Sequence, residues 1–478
     1  MSEQKYSLVT AELVEEFKKI VGKGVYTKND IGDDYSHDEM PIYGKGFPDV
    51  LIDATNTYDI AKILKLCYEN NIVVVARGAG TGLVGSGVAV NGGVMIDMTK
   101  MNKIIEYDKE NLAVRVQPGV LLNDLANDAL KQGLLYPPDP GEKTATIGGN
   151  VSTNAGGMRA VKYGTTRDYV KAMTVVLPTG DIVKLGANVS KTSTGYSLIN
   201  LIIGSEGTLG IITEITLKLI PMPKETISLI VPFVDLRECI NTVPKLFLNN
   251  FKPQSIEFME KEIVNVSERF IGKSVFPKVV DGVDIGAYLL LTFDGEDSEY
   301  LENLSEKAAE VLLEEGAIDV LIADTKAKQK DAMAARSSFL EAIVSETDLL
   351  DECDVVVPVS KIADYMIFVK EVCEKYDFNV KSFGHAGDGN IHIYTCSNDM
   401  KEEEFKKQVK EFFDVIYDKA YEMGGLISGE HGIGSGKLEY LEKFSGDVQM
   451  RLMQGIKQVF DPKMILNPGK VVSCNLPM

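Results

Sequence analysis

Glycine-rich loops recur beside apolar strands in the first half of the chain, and they restrict the fold more than any other feature. The apolar run 72–76 predicts a buried strand and leads into residues 77–87, RGAGTGLVGSG. A second stretch of glycines and small polar residues, which we expect to be a poor helix, covers 146–157, and GSEGTLG follows at 204–210. Successive glycines let backbone N–H groups converge on a phosphate without obstruction by a Cβ atom. Three such loops on strands predict the binding of one large nucleotide.

The first loop contains GTGLVG, which matches the GxGxxG fingerprint of dinucleotide-binding Rossmann domains. In that fold the fingerprint opens a helix whose N-terminus holds the pyrophosphate. Here the loop continues into the turn residues Asn91-Gly92-Gly93 and then into a predicted strand at 94–97. We therefore expect a phosphate-binding nest, with an ordinary long turn as the alternative. An NAD-dependent Rossmann dehydrogenase is disfavoured for the same reason.

Composition and charge argue against several classes of protein. The chain has 478 residues, 45% of them apolar and 25% charged, which is typical of a globular protein with more than one domain. It shows no apolar run long enough for a membrane span and no secretory signal. The formal charge of −20 argues against general nucleic-acid binding, which needs a basic surface. The six cysteines show no CxxC spacing, so we expect a reduced, cytoplasmic protein without disulfides or an iron–sulfur motif.

The second half of the chain has a different rhythm, in which predicted strands alternate with helices. Pro221-Met222-Pro223-Lys224 interrupts the strand-rich region and marks a boundary, beyond which we predict an α+β domain. Its predicted strands are 227–232, 255–259, 286–293, 318–323, 353–357 and 379–383. Its predicted helices are 235–248, 298–315, 325–346, 360–376 and 402–423, and the last ends at Gly424-Gly425.

Three of the four histidines occur in two further glycine-rich loops. In GHAGDGNIH, the alternating run that follows the turn places His392 on a strand. A chain that folds back across the glycines could bring His385 to the same point. In SGEHGIG, the carboxylate of Glu430 lies next to His431. A buried histidine beside an ordinary hairpin is the alternative for the first pair, and the second loop favours a functional site.

Five strings follow one another along the chain: RGAGTGLVG, PPDPG, TIGGNVSTNAGG, KYGTTRDYV and GSEGTLGIITEITLKL. Together they resemble the FAD-binding domain of the vanillyl-alcohol oxidase flavoprotein superfamily, in particular its glycolate oxidase and D-lactate dehydrogenase branch. The resemblance covers nearly the whole chain, since FDPKMILNPGK near the end also matches. It implies an FAD-binding domain at 1–222, an α+β cap domain with an antiparallel sheet at 223–424, and a helical segment at 425–478 that returns to the FAD domain.

In this superfamily the glycine-rich loops wrap FAD, so the resemblance implies three groups of cofactor-binding residues. The pyrophosphate group is Arg77, Gly78, Ala79, Gly80, Thr81, Gly82 and Gly85. The flavin neighbours are Pro138, Gly148, Gly149, Ser152, Asn154 and Gly156, and the adenosine side is Glu206, Gly207 and Ile211. Some members hold the flavin covalently through a histidine or cysteine in the first loop. Residues 77–87 contain neither, so we expect non-covalent FAD.

The resemblance also implies a substrate anchor in the helix predicted at 325–346. An arginine in the corresponding helix of the family binds the substrate carboxylate through a bidentate fork, and Arg336 matches it. Relatives commonly have a tryptophan shortly before this arginine, whereas this chain has no tryptophan. Relatives that oxidise 2-hydroxyglutarate carry a lysine soon after it, but the matching stretch here, 351–354, is acidic, which weakens the case for a dicarboxylate substrate.

The clustered histidines fit an open metal site. Two imidazoles and one carboxylate, from His385, His392 and Glu430, leave coordination positions for a substrate on one divalent ion of zinc, iron or manganese. A 2-hydroxy acid could chelate this ion, and His431 could then take the hydroxyl proton as general base while Asn390 orients the substrate. Sequence spacing alone does not decide which histidine is the base, and the family resemblance agrees with this division of roles.

We therefore predict FAD- and metal-dependent oxidation of a D-2-hydroxy acid, first D-lactate to pyruvate, by hydride transfer to flavin N5. Glycolate and D-2-hydroxyglutarate are alternative substrates. A non-catalytic FAD-binding subunit of an electron-transfer complex is an alternative from another class. Some relatives continue into a cysteine-rich iron–sulfur extension that this sequence lacks, so we expect a separate acceptor: a quinone, an iron–sulfur subunit or, as the resemblance to soluble anaerobic relatives favours, electron-transferring flavoprotein.

Overall fold

The computed structural model describes residues 6–43, 45–323 and 325–473. Cys474 lies outside these ranges, and the five other cysteines form no disulfide among the described residues.

The elements of the first part of the chain are mostly short. The helices are α1 (Ala11–Val21), α2 (Thr57–Glu69), α3 (Leu122–Lys131), α4 (Ile147–Thr153), α5 (Ala160–Tyr163) and α6 (Leu198–Ile202). The strands are β1 (Val25–Thr27), β2 (Val50–Asp53), β3 (Val74–Arg77), β4 (Val94–Asp97), β5 (Ile104–Asp108), β6 (Ala113–Val116), β7 (Leu134–Leu135), β8 (Val170–Val176), β9 (Ile182–Gly186), β10 (Ile211–Lys218) and β11 (Ile220–Pro221).

Longer elements follow Pro221. The helices are α7 (Leu236–Leu248), α8 (Lys261–Ile271), α9 (Ser298–Glu314), α10 (Lys326–Ser337), α11 (Phe339–Ser345), α12 (Ile362–Cys373), α13 (Glu402–Glu422) and α14 (Leu438–Phe460), which is interrupted at Gly446. The strands are β12 (Glu225–Phe233), β13 (Ser255–Glu260), β14 (Val279–Val280), β15 (Val283–Asp284), β16 (Ala287–Gly295), β17 (Leu321–Ala323), β18 (Leu349–Val356), β19 (Asn379–His385) and β20 (Asn390–Ser397).

The chain divides into two compact units. The first contains the described residues up to Ala155, Thr165–Met222, and the residues from Glu430 onwards. The second contains Gly156–Gly164 and Pro223–Gly429. The chain therefore leaves the first unit twice, briefly at Gly156–Gly164 and again at Pro223, and it enters the first unit for the last time at Glu430.

Within its described residues the first unit has two larger sheets, besides the two-stranded pair of β7 and β11. One has the order β1-β2-β4-β3, with β4 parallel to both β2 and β3, and the other has the antiparallel order β5-β6-β10-β8-β9. Helix α2 packs on the first sheet through Ile60, Ile63 and Leu64, which are fully buried and follow the helical period. The returning end of the chain adds Leu466 beside Val74 in a parallel bridge.

The second unit is organised around one antiparallel sheet whose strands differ in length. Across the described residues its strand order is β17-β12-β16-β13-β19-β20-β18, and the paired neighbours are antiparallel throughout. The interior strand β16, third in this order, is buried along nearly its whole length, as is expected of a strand covered on both faces. This architecture confirms the α+β fold with an antiparallel cap domain that the sequence predicted.

Most predicted elements are present, with three corrections. Residues 147–153 form helix α4 although we expected a poor helix there, because Thr146 caps its first turn by accepting a hydrogen bond from Gly149 N at 3.2 Å. The helix predicted at 325–346 is two helices, α10 and α11, because Ser338 breaks it and its hydroxyl bonds Ala335 O at 3.1 Å. The sequence analysis also missed helix α8, whereas α14 lies within the helical segment expected at 425–478.

Among the described helices, none combines the length and the hydrophobicity that crossing a lipid bilayer requires.

The turn between β19 and β20 depends on Gly389. Its φ is +90°, and a Cβ atom there would lie 2.0 Å from the backbone oxygen of Val357. Gly424 has a similar φ of +83°, but the nearest atom to its Cβ position is 4.0 Å away. We expect Gly424→Ala to lower the free energy of unfolding by about 1 kcal/mol through φ strain alone. Gly389→Ala should lower the free energy of unfolding by ~1–3 kcal/mol more than Gly424→Ala does, because the backbone near Val357 has to move to make room for the methyl group.

Urea unfolding of the two variants, followed by circular dichroism, tests this difference. Equal losses of stability in Gly389→Ala and Gly424→Ala would contradict the close approach to Val357.

Candidate active site

The hairpin β19–β20 carries the two histidines of GHAGDGNIH. His385 ends β19 and pairs in register with Asn390, the first residue of β20, while His392 lies two residues further along. The turn is closed by Gly389 N, which donates to His385 O at 3.0 Å. Side chains two residues apart in a strand share one face, so the hairpin presents Asn390 and His392 together.

The two imidazoles lie side by side in the second unit. Their ring centroids are 5.5 Å apart and their planes are perpendicular. A ligand nitrogen of His385 lies within 4.8 Å of one of His392. Both side chains are buried. The chain does fold back across the glycines as the sequence analysis envisaged, and it brings the two rings to one point.

A carboxylate faces the Nδ1 atom of each imidazole. His385 Nδ1 lies 2.8 Å from Glu257 Oε1, and His392 Nδ1 lies 3.2 Å from Glu352 Oε1. An imidazole that donates its Nδ1 proton to a carboxylate keeps Nε2 as an acceptor, which is the usual arrangement of metal-binding histidines. The chemistry of this donor set therefore fits a divalent cation.

Sequence reasoning missed Glu257 and Glu352 as partners. Glu257 lies on β13 directly opposite His385, and it is fully buried in a strand of otherwise mainly apolar residues. Glu352 and Asp354 alternate on β18, where Asp354 is directly opposite His392. A carboxylate between apolar residues in a buried strand, and two carboxylates at a spacing of two, were the signals that could have identified them.

Arg336, on α10, binds the same glutamate. Its Nε and Nη2 atoms lie 2.9 and 2.6 Å from Glu257 Oε2, and its guanidinium lies 4.6 Å from the ring centroid of Phe383. Burial alone would raise the pKa of Glu257, but the charges of His385 and Arg336 and their hydrogen bonds lower it below its ordinary value. Glu257 is therefore a buried carboxylate that joins the predicted substrate anchor to a predicted metal ligand.

Asn390 and Asp354 fix the start of the second glycine-rich loop. Asp354 accepts hydrogen bonds from Asn390 Nδ2 at 2.7 Å, from Ser428 Oγ at 2.7 Å and from Gly429 N at 3.0 Å. A Cβ atom on Gly429 would lie 2.1 Å from Asn390 Nδ2, so only glycine fits at this position. The Oδ1 atom of Asn390 is buried and has no hydrogen-bond partner within the described part of the chain.

Glu430 follows Gly429 directly and is the first residue of the returning part of the first unit. His431 Nε2 lies 3.8 Å from Glu430 Oε1. Two residues further on, the backbone N–H groups of Ile433 and Gly434 each donate to the carboxylate of Glu206 at 2.7 Å. Glu206 was predicted to lie on the adenosine side of FAD, and its carboxylate has these partners within the protein.

The three predicted cofactor loops converge in the first unit. A Cβ atom on Gly78 would lie 2.3 Å from Thr146 Oγ1, so the first loop packs against the start of α4. Glu206 N donates to Ser152 O at 2.8 Å, and Ser86 donates to the Glu206 carboxylate. No helix occurs in the described stretch 78–93, which runs from β3 to β4, so the expectation that GTGLVG does not open a Rossmann helix is confirmed.

The side chain of Arg77 links the two ends of the first glycine-rich loop to a neighbouring segment by hydrogen bonds. Its guanidinium donates to the backbone oxygens of Asp34 and His37 at 2.7 Å each and of Gly87 at 3.2 Å. Burial lowers the pKa of Arg77 from its ordinary value, although the charges of Asp38 and Asp34 act in the opposite direction. These contacts give its side chain a loop-closing role, while the backbone of the loop contains the glycines Gly80, at φ +82°, and Gly85, at φ +76°.

The stretch around α4 contains most of the predicted flavin neighbours. Gly148, Gly149 and Ser152 lie on the helix, and Asn154 ends it in a left-handed conformation at φ 54°. Asn150, which the sequence analysis did not select, is buried and its Nδ2 atom has no partner in the described structure. A buried donor without a partner costs about 1–3 kcal/mol. This donor therefore fits the polar edge of a bound cofactor.

Gly156 belongs to the short segment Gly156–Gly164 that clusters with the second unit. Lys162 and Tyr163 of this segment both bind Asp294 on β16, the tyrosine hydroxyl at 2.5 Å from Asp294 Oδ2. The string KYGTTRDYV thus contains an attachment to the cap sheet.

Comparison with known proteins gives this arrangement its class. Residues 222–471 match the family model "FAD linked oxidases, C-terminal domain", and residues 48–186 match the model "FAD binding domain". The chain therefore belongs to the family of FAD-linked oxidases, and it is an FAD-dependent oxidoreductase. The resemblance to this group of flavoproteins, and the FAD cofactor, are confirmed.

Individual relatives narrow the comparison. The chain is 64% identical over 471 residues to a D-lactate dehydrogenase of Anaerostipes hadrus, covering 98% of this chain and 99% of that one. It is 37% identical over 470 residues to the glycolate oxidase subunit GlcD of Bacillus subtilis, covering 97% of each. The crystal structure of p-cresol methylhydroxylase with substrate bound shares the fold, with a TM-score of 0.78, 19% identity and 98% coverage of both chains.

The pair Glu257–Arg336 should be strongly coupled, because both side chains are buried. We expect Glu257→Gln to lower the free energy of unfolding by about 3–5 kcal/mol, since it leaves the Arg336 charge without its partner. The double variant Glu257→Gln with Arg336→Met should lose less than the sum of the single variants. Because the pKa of Glu257 is lowered from its ordinary value of 4.5, its contribution is full well above pH 4.5 and is lost as the pH falls below it.

The control is Glu346→Gln, which removes the partner of the exposed Arg269, a pair with side chains 60% and 37% exposed. This change should cost no more than about 1 kcal/mol. Urea unfolding at pH 7 measures all four variants, and strict additivity at Glu257 and Arg336 would argue against their coupling.

Proposed function

We propose that the protein oxidises a D-2-hydroxy acid, with D-lactate to pyruvate as the first substrate, through non-covalently bound FAD. The observation that carries the proposal is the pair His385 and His392, whose Nδ1 atoms both face buried carboxylates. Two Nε2 atoms presented together are suited to a divalent cation that holds a hydroxy acid. The 64% identical relative named a D-lactate dehydrogenase supports the choice of substrate.

In this proposal Glu430 is the third ligand of the cation. Gly429 packs against Asn390, and Asn390 pairs directly with His385. Consecutive Cα atoms are about 3.8 Å apart. The Cα atom of Glu430 therefore lies next to Gly429, the residue that packs against Asn390. Two imidazoles and a carboxylate suit zinc, iron or manganese. When bound, the cation would lower the pKa of the substrate hydroxyl.

Arg336, Asn390 and His431 act on the substrate. A guanidinium has five N–H donors, and Glu257 uses those on Nε and Nη2 of Arg336. The donors that remain on Nη1 and Nη2 bind the substrate carboxylate, and together they still allow the bidentate fork expected from the resemblance. Asn390 orients the substrate through its buried Oδ1 atom. His431 takes the hydroxyl proton, and FAD, when bound, accepts the hydride equivalent from the α-carbon.

The convergent loops of the first unit hold FAD in this proposal, and residues 77–87 offer no histidine or cysteine for a covalent link. The pyrophosphate is bound by the backbone of the first loop, the flavin by α4 and its neighbours, and the adenosine side by the loop before β10. The acting residues are those implied by the resemblance, except that the carboxylate of Glu206 is bound within the protein, and we add Asn150 because of its buried donor.

Electrons leave to a separate protein, for which we propose electron-transferring flavoprotein or another redox subunit. The relative from Bacillus subtilis is itself named a subunit, which supports a role within a larger electron-transfer system. A cytoplasmic location, also expected from the sequence, stays a prediction.

Anaerobic titration of the yellow enzyme tests the reaction. D-lactate should bleach the flavin absorbance, L-lactate should not, and purified electron-transferring flavoprotein should reoxidise the reduced enzyme. Bleaching by glycolate or D-2-hydroxyglutarate without D-lactate would correct the substrate and keep the reaction class. An absence of bleaching with every 2-hydroxy acid would favour a non-catalytic subunit instead.

The roles of the histidines can be separated by metal content. His385→Ala and His392→Ala should lose the bound cation, measured by elemental analysis, together with flavin reduction. His431→Gln should keep the cation but reduce the flavin about 10²–10⁴-fold more slowly, because a general base contributes that much.

The matched control is His37→Gln, since His37 is the fourth histidine and lies in the first unit outside the proposed site. It should leave both metal content and rate unchanged. Loss of the cation in His431→Gln would contradict its assignment as the base.

A further inference from the structure

Glu206 has a buried carboxylate whose partners all belong to the first unit. Oε1 accepts from Ile433 N at 2.7 Å, Oε2 accepts from Gly434 N at 2.7 Å, and Ser86 Oγ donates to Oε2. Burial raises the pKa of Glu206, while these hydrogen bonds and the charge of Lys470 act in the opposite direction. A carboxylate buried at such a desolvation cost calls for a specific arrangement of donors.

The residues after His431 wrap around this carboxylate. Gly432 has a φ of +89°, and a Cβ atom there would lie 2.8 Å from Glu206 Oε1. The following N–H groups of Ile433 and Gly434 point to the two carboxylate oxygens, one to each. The turn 432–434 is therefore a small backbone nest with Glu206 as its anion.

The nest is also held against the first glycine-rich loop. Ser435 N and Gly436 N donate to Val84 O at 3.0 and 3.1 Å. Asn467 Nδ2 donates to Ser86 O at 2.9 Å and to Glu206 O at 2.7 Å. The first glycine-rich loop, the loop before β10 and the segment after His431 thus meet at the carboxylate of Glu206.

We propose that Glu206 is a positioning residue that holds Glu430 and His431 in place for metal binding and proton transfer. The proposal rests on the proposed function, because it assigns Glu206 to the same site. Glycine has more freedom than other residues in an unheld segment. Without the carboxylate, the turn 432–434 would sample many conformations, and Glu430 would lose the fixed position that a metal ligand needs.

The variant Glu206→Gln tests this role in the full-length holoenzyme. Its amide NH₂ would face a backbone N–H, donor against donor, so the turn should loosen while the side-chain volume is kept. We expect the metal affinity, measured by competition with a chelator, to fall about 10–100-fold, as for other groups that orient ligands. FAD content should be unchanged, because Arg77, Asp38 and Lys470 still hold the first loop.

Rescue by excess metal separates positioning from a general structural defect. Adding the cation found in the wild-type enzyme should restore flavin reduction in Glu206→Gln but not in Glu430→Gln, which lacks the ligand itself. Ser86→Ala, which removes one donor and leaves the carboxylate, should give an intermediate loss. The control Glu214→Gln changes a 27% exposed carboxylate on β10 that pairs with Arg115, and it should match the wild type.

The outcomes decide the proposal. Metal affinity within twofold of the wild type, or a joint loss of metal, FAD and thermal stability without rescue, would overturn it. If the wild-type enzyme itself holds no divalent cation, the metal part of the proposed function fails. In that case the rate of flavin reduction at saturating D-lactate tests the positioning of His431. A rate about tenfold lower in Glu206→Gln than in Glu214→Gln, with FAD retained, would support this role. Equal rates in the two variants would refute it.

Discussion

The candidate site depends on the contacts that the buried carboxylate of Glu257 makes with His385 and Arg336. A charge removed from water needs strong donors, and this one has an imidazole on one side and a guanidinium on the other. An imidazole that donates its Nδ1 proton to a carboxylate, as His385 can to Glu257, has Nε2 as its acceptor atom. The same logic recurs at Glu352 and His392. The geometry of the histidine pair is therefore set by carboxylates behind the rings as much as by the hairpin that carries them.

The hairpin and its histidines could be predicted from sequence because their signals are local. A glycine turn followed by alternating residues predicts a strand, and the period of two places His392 on a defined face. The partners could not be predicted in the same way, since Glu257 is 128 residues away from His385 along the chain. Only the strand order of the sheet makes them direct neighbours. Contacts of this kind depend on tertiary structure, which single-sequence patterns do not encode.

The error at α4 has a similar origin. Glycines at 148 and 149 lower helix propensity, and propensity alone predicts a loop. The helix forms because Thr146 caps it and because Gly148 fits where a Cβ atom would lie 2.5 Å from Pro118 Cβ. Close packing, which only glycine permits here, outweighs an unfavourable propensity of about 1 kcal/mol per glycine. The same residues that mark the stretch as a nucleotide-binding loop are thus compatible with a short, buried helix.

Glu206 shows why a motif residue need not contact the cofactor that its motif binds. A free carboxylate beside the phosphates of an anionic cofactor would repel them, and at low dielectric this repulsion is strong. Here the carboxylate is enclosed by Ser86 and by the N–H groups of the turn 432–434. The acidic residue in GSEGTLG is therefore consistent with an anionic cofactor nearby. In the proposed arrangement this carboxylate orders the returning segment of the chain through the turn 432–434.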